Sequence, residues 1–266
     1  DRVRPVAGGL QINWAGFVCT HGFNVRAPDR PNVEGFVTNS HCSDTRGVVV
    51  PTPYWQHSRT GADTYVGEEV HDIPFFQDGV CPTGRNCRYS DALGVQYEDG
   101  VENAFGYIYR TMAPGAPGTL QIDADNPLWE IVEEIPFPVV GQTLHKTGRT
   151  SGWTFGNVTA TCQNSNVAGE GNITLLCQDR IATTSAGGDS GSPYFVRLDE
   201  ASNEVALIGI HWGSGGGQTV MSAMANIRFE NEGPVGVVAH RRHLGGIDVT
   251  HTYGNVAERR ENVRPV

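Results

Sequence analysis

Apolar residues in this chain gather in short runs, many alternating with polar ones, and glycine, proline or a polar cluster ends nearly every run. That spacing predicts β-strands joined by turns, because long stretches with helical spacing are absent. A first set of strands is expected around Gly16–Cys19, Gly22–Arg26, Gly35–Thr38, Gly47–Val50, Ala92–Gln96 and Ala104–Arg110. A second set is expected at Gln142–Lys146, Gly156–Cys162, Ile173–Cys177, Pro193–Val196, Val205–His211 and Val220–Asn226. Between the sets, Ala113-Pro114-Gly115-Ala116-Pro117-Gly118 reads as a linker, prolonged by an acidic, proline-broken stretch up to Pro138. His57–Asp63 and Glu68–Asp78 read as loops. The best apolar run, Val205–Ile210, is strand-sized and too short to cross a bilayer.

Composition agrees with the pattern. The 266 residues include 34 glycines and 15 prolines, and suffice for one globular protein with two subdomains. A formal charge of −10 argues against nucleic acid or an anionic membrane as partner, since phosphate binding needs concentrated Lys and Arg. Six cysteines fall into three sequence-local couples, Cys19 with Cys42, Cys81 with Cys87 and Cys162 with Cys177, although other pairings are open in principle. The even count and the lack of a Cys-x-x-Cys spacing favour an oxidising, extracellular compartment over a zinc site. No metal constellation or cofactor motif stands out. The start Asp1-Arg2-Val3-Arg4 lacks the pattern of a signal peptide and reads as a mature, processed form.

The chemistry concentrates in Gly187-Gly188-Asp189-Ser190-Gly191-Ser192-Pro193. A serine hydroxyl is a poor nucleophile unless a base lies within reach and a third group holds that base. Upstream, the apolar stretch Gly35-Phe36-Val37-Thr38 delivers His41 beside Cys42, and Asp91 enters the apolar run Ala92–Val95. The order His, Asp, Ser is that of the chymotrypsin template. Ser190 is therefore read as nucleophile, His41 as general base and Asp91 as its orienting carboxylate, with Asp44 and Asp72 as competitors for the last role. The N–H groups of Gly188 and Ser190 would form an oxyanion hole. At this loop the sequence resembles the chymotrypsin-like serine proteases, and the resemblance implies that Asp189 is a buried brace with Lys146 or Arg149 as its counter-ion, since a buried unpaired carboxylate would be costly.

At these residues the sequence resembles the bacterial branch of the chymotrypsin-like serine proteases, from about Gly9 to about Glu232. Cys19–Arg26 is similar to the opening strand of the streptogrisins, and Gly148-Arg149-Thr150-Ser151-Gly152-Trp153 to their turn into the second barrel. Gly209-Ile210-His211-Trp212-Gly213 resembles the specificity strand of the glutamyl endopeptidases. The resemblance implies an all-β fold of two antiparallel six-stranded barrels with the active site between them, and a bridge between Cys19 and Cys42 beside the histidine. The expected organisation is a leader over residues 1–8, a first barrel over 9–112, a linker over 113–138, a second barrel over 139–232 and a tail over 233–266.

The resemblance also implies a secreted, monomeric endopeptidase that acts on proteins or peptides through an acyl-enzyme. Thr184 stands six residues before Ser190, where a trypsin-like enzyme needs Asp, so cleavage after Lys or Arg is disfavoured. His211 on the specificity strand, with Ser185, Trp212, Gly213 and Ser214, would line the substrate pocket. A histidine and hydroxyls can hold a carboxylate by charge-assisted hydrogen bonds, so preference for Glu, with Asp beside it, is expected. The alternatives are a streptogrisin-like protease of broad apolar preference and a catalytically silent binding homologue.

Overall fold

Two β-sheets carry the chain in a computed structural model that describes residues 2–27, 30–57, 64–114 and 120–230. Most of the glycine-proline linker, most of the His57–Asp63 loop and the tail over 233–266 lie outside the described residues.

The first sheet is antiparallel throughout, with strand order β3-β2-β6-β7-β9-β5-β4. Its members are β2 (Gln11–Trp14), β3 (Phe17–Thr20), β4 (Phe23–Ala27), β5 (Arg30–Asn39), β6 (Pro53–Trp55), β7 (Tyr65–Asp72) and β9 (Ala92–Tyr97). Ile12, Phe36, Tyr54, Val66, Leu93 and Val95 fill its interior.

In the second sheet, β12 (Thr143–Gly148), β13 (Gly152–Asn166), β14 (Ile173–Ile181), β17 (Gln218–Ala223), β16 (Glu204–Gly215) and β15 (Pro193–Arg197) pair in a closed ring of antiparallel neighbours. Closure leaves no open edge over those registers. The two-barrel plan of the chymotrypsin-like fold is thus present, the first barrel being built from seven strand segments. A separate core of Phe23, Val37, Trp129, Phe195, Leu207 and Ile210 draws on both sheets and joins the halves.

Several elements depart from the pattern. The strand expected to close the first barrel at Ala104–Arg110 is β10 (Asn103–Tyr109), and it lies in the larger sheet. There it pairs in parallel with β1 (Val6–Gly8) and antiparallel with β11 (Leu128–Glu134), a strand inside the stretch read as linker. Gly47–Val50 is not a strand: Gly47 has φ +74°, and Val48 and Val49 point to solvent. Residues 65–72, read in part as loop, form β7, whose inner face carries the buried polar Glu69 and Asp72 and so conceals the usual alternation. The expected last strand stops at Ala223, and α1 (Met224–Glu230) follows with Met224 and Ile227 in the shared core.

The apolar run Val205–Ile210 has a simple origin. Val205, Leu207 and Ile210 pack into the core shared by the two sheets, while Ile208 packs beside Leu144, Val158 and Ile181 inside the closed ring, so both faces of β16 are covered. The three cysteine couples form the disulfides Cys19–Cys42, Cys81–Cys87 and Cys162–Cys177.

Candidate active site

The serine loop spans residues 182–192 between β14 and β15 and is folded on its own backbone. Asp189 N–H donates to the Ala186 carbonyl at 3.0 Å, and Ser192 N–H to the Asp189 carbonyl at 2.9 Å. Gly188 and Gly191 have φ of +96° and +93°, values that disfavour side chains, and a Cβ on Gly191 would overlap the carbonyl oxygen of Thr20. The loop is pressed onto the first barrel at that point: Thr20 N–H donates to the Ser190 carbonyl at 2.7 Å. Its other side is tied to β16, where Gly191 N–H donates to the His211 carbonyl at 2.9 Å and His211 N–H to the Ser192 carbonyl at 2.8 Å. Among the described residues, the N–H groups of Gly188 and Ser190 have no acceptor.

Asp189 is fully buried and accepts four hydrogen bonds, from Lys146 Nζ at 3.1 Å and from the N–H groups of Thr150, Ser151 and Ala186 at 3.0 Å each. Of the two cations expected there, Lys146 is the partner; Arg149 turns instead to Gln11. Burial raises the Asp189 pKa, but Lys146 and the N–H donors hold it below its ordinary value. Burial in turn lowers the Lys146 pKa, against the pull of Asp189. Lys146 Nζ also donates to Ser151 Oγ at 2.7 Å.

Register brings the histidine and the aspartate together. β5 pairs with β9 so that Asn39 faces Ala92, and one step beyond the ladder Ser40 N–H donates to the Asp91 carbonyl at 2.8 Å. The chain then turns through a short 3₁₀ segment, Ser40–Cys42, which swings His41 over Asp91, and His41 Nδ1 hydrogen-bonds Asp91 Oδ2. The disulfide Cys19–Cys42 links this turn to β3, whose next residue, Thr20, holds the Ser190 carbonyl. His41 is thus tied to the serine backbone through Cys42, its disulfide to Cys19, and Thr20, while among the described residues no direct hydrogen bond joins His41 to Ser190. Asp91 is buried; desolvation would raise its pKa, but the charges of His41 and Arg46 and the bond to His41 keep it below the usual carboxylate value. Arg46 Nε stands 3.8 Å from Asp91 Oδ1. Of the competing carboxylates, Asp72 is engaged elsewhere, with Arg88 at 2.6 Å, Ser40 Oγ at 2.7 Å and Gly47 N at 2.6 Å, and Asp44 is exposed. Although Cys19 and Cys42 lie beside His41, their sulfurs are joined to each other and offer no thiolate to a metal.

The expected pocket residues sit on or near β16. His211 is buried, packs edge-on against Tyr194 at 6.1 Å, and leaves Nδ1 without a partner. Tyr194 OH in turn bonds Thr219 Oγ1 at 2.6 Å, so a phenol and a hydroxyl back the histidine. Burial, helped by the charges of Lys146 and His41, pushes the His211 pKa down to about 3 and leaves the ring neutral. Trp212 is the extra residue of a β-bulge between His211 and Gly213, a device that re-aims a side chain. Ser185 is half-buried and Ser214 exposed; no hydrogen bond joins either to His211. β15 pairs with β16 only as far as Ile210, so beyond His211 one edge of β16 is unpaired among the described strands.

Three further residues, not singled out from the sequence, hold the Tyr89–Asp91 segment. Ser222 Oγ accepts the Asp91 N–H at 3.1 Å, Gln178 Nε2 donates to the Tyr89 carbonyl at 2.8 Å, and the Glu230 carboxylate accepts from Ser90 N–H at 2.9 Å and Ser90 Oγ at 2.6 Å. Ser222, polar within the apolar strand Thr219–Ala223, is the one that carried a signal in the sequence.

No family model matches the chain. Serine protease 1 of Streptomyces fradiae is 31% identical over 214 residues, which are 80% of this chain and 46% of that protein, so the chain spans about half its length. Glutamyl endopeptidase 2 of Streptomyces griseus is 30% identical over 211 residues, 79% of this chain and 86% of that protein. Among solved structures, a glutamic acid-specific serine protease described as using a novel histidine triad in substrate binding superposes with a TM-score of 0.60 at 25% identity, covering 85% of this chain and 97% of that one. The two-barrel fold, the serine loop and this similarity along most of two chains agree: the chain belongs to the bacterial chymotrypsin-like serine proteases.

Proposed function

We propose that this protein is a serine endopeptidase that hydrolyses peptide bonds through an acyl-enzyme and prefers Glu before the scissile bond. The observation that carries the reading is the bond from His41 Nδ1 to the buried, ionised Asp91, on a turn tied through Cys19–Cys42 and Thr20 to the Ser190 loop. With Nδ1 engaged, Nε2 is the nitrogen left to take the Ser190 proton and return it to the leaving amine. As Ser190 Oγ bonds to the carbonyl carbon, the carbonyl oxygen becomes negative and meets the N–H groups of Gly188 and Ser190. Collapse expels the amine and leaves an ester on Ser190, which water hydrolyses by the same route. The substrate backbone would lie along the unpaired edge of β16 at Gly213 and Ser214.

His211 supports the preference for Glu. A neutral, buried imidazole can donate one N–H to a carboxylate without a permanent positive charge in the pocket, and Ser185 and Ser214, neither of them buried, would add hydroxyls. The similarity to a glutamyl endopeptidase points the same way. Three disulfides fit secretion into an oxidising compartment. The deciding experiment compares kcat/KM on matched peptides with Glu, Phe or Arg before the scissile bond, for the parent and for His211→Ala. Strong Glu preference lost in the variant supports the reading. A preference for Phe that ignores the substitution makes this a protease of broad apolar taste, and failure of Ser190 to react stoichiometrically with an organophosphorus fluoride removes the acyl-enzyme altogether.

A further inference from the structure

Gln178 on β14 is fully buried, and every hydrogen-bonding position of its amide is used. Oε1 accepts from Trp212 Nε1 and from Ser222 Oγ, each at 2.8 Å; Nε2 donates to the carbonyls of Tyr89 at 2.8 Å and Leu176 at 2.6 Å. A carboxamide has two acceptor and two donor positions, so this one is saturated, and flipping it would set an N–H against the Trp212 indole N–H and the amide oxygen against two carbonyls. Leu176 lies on the same strand, and the other three partners come from two places that matter to the proposed reaction. Trp212 stands at the bulge of the strand whose free edge would receive the substrate. Ser222, having given its proton to Gln178, accepts the N–H of Asp91, and Tyr89 lies two residues before that aspartate.

We infer that Gln178 is a positioning residue that fixes the substrate strand and the Asp91 segment relative to one another. The side chain touches neither substrate nor reacting atoms. A buried, fully satisfied polar network is stiff, because each broken bond strands a buried group. Substrate pressing on Trp212 therefore acts, through one amide and one hydroxyl, on the backbone that aims the carboxylate at His41. The catalytic arm of the inference rests on the proposed proteolytic function; the structural arm does not.

Two variants and two readouts test it. Gln178→Met keeps the volume but removes all four bonds, whereas Trp212→Phe removes only the indole bond and spares the buried amide. In hydrogen exchange, Gln178→Met is expected to speed exchange of the Asp91 amide by about tenfold or more beyond any change at Val95, inside β9. Equal changes at the two amides would mean general destabilisation and would overturn the inference. In kinetics, normalised to titrated Ser190, lengthening the peptide toward Trp212 is expected to raise kcat in the parent and to raise it about tenfold less in either variant. The double variant is expected to lose no more than the worse single one. Additive losses, or a parent-like gain in Gln178→Met, would also overturn it. A parent that hydrolyses no peptide defeats the proteolytic reading instead, and the exchange measurement still decides the role of Gln178.

Discussion

Lys146 Nζ lies 3.1 Å from Asp189 Oδ2, and neither side chain is exposed to solvent. The carboxylate next to the proposed nucleophile is therefore braced by β12 of its own barrel. Breaking a buried pair by deleting one partner leaves an uncompensated charge, at a typical cost of roughly 3–5 kcal/mol. Lys146→Met should unfold at clearly lower denaturant concentration than the parent, and adding Asp189→Asn should recover part of the loss. Equal midpoints for parent and single variant would show that the three N–H donors suffice for Asp189.

Asp91 and Asp72 are both buried carboxylates downstream of His41, and they should respond differently to amidation. Asp91→Asn disturbs the group that orients His41, and a loss of kcat of about 10⁴-fold is expected with the fold retained. Asp72→Asn weakens the ion pair with Arg88 and should lower stability while leaving the rate per titrated Ser190 within a few-fold of the parent. Kinetics combined with active-site titration separates the two; a larger rate loss in Asp72→Asn would reassign the orienting role.

Gly191→Ala should be the most damaging single methyl in the serine loop, since it combines a positive φ with overlap against Thr20. Gly187→Ala, two residues before Asp189 and with open space at its Cβ, is the control and should fold normally. The check is the fraction of purified protein that binds an organophosphorus fluoride, expected near zero for the first and near that of the parent for the second.

Acid should destabilise the protein from about pH 6.5 downward. Burial holds His21 at about 3, His145 at about 4 and His211 at about 3, all below the ordinary 6.5. Between those values the unfolded chain binds more protons than the folded one, so stability falls as pH falls, by up to about 1.4 kcal/mol per pH unit for each histidine. Glu69, raised by burial to about 7, and Glu230, also raised by burial, act in the opposite sense and offset part of this. Denaturant midpoints at about pH 7 and about pH 4.5 measure the balance; a midpoint at the lower pH equal to or above that at the higher would contradict it.

The sequence made some of this legible because the relevant information is local. Glycines flanking Ser190, the strand that delivers His41, and cysteines paired with near neighbours all leave marks over a few residues. The misplaced elements depend on distant partners. β10 reads as any apolar strand, and nothing in Asn103–Tyr109 says that its neighbours are β1 and β11. β7 is obscured because Glu69 and Asp72 occupy inward positions, a pattern that makes sense only once Arg88 and Gly47 are seen to meet Asp72, and the Val50 N–H to meet Glu69. The choice of Lys146 over Arg149 also depended on strand direction, since β12 carries one inward and the turn leaves the other beside Gln11.

The grip on the Asp91 segment has a consequence for biosynthesis. The segment is contributed by the first half of the chain, but the groups that hold it, Gln178, Ser222 and Glu230, come from the second. A ribosome releases them last. Until they arrive, the early half lacks both Ser190 and the contacts that hold its Asp91 segment, so a partly made chain cannot assemble the proposed triad.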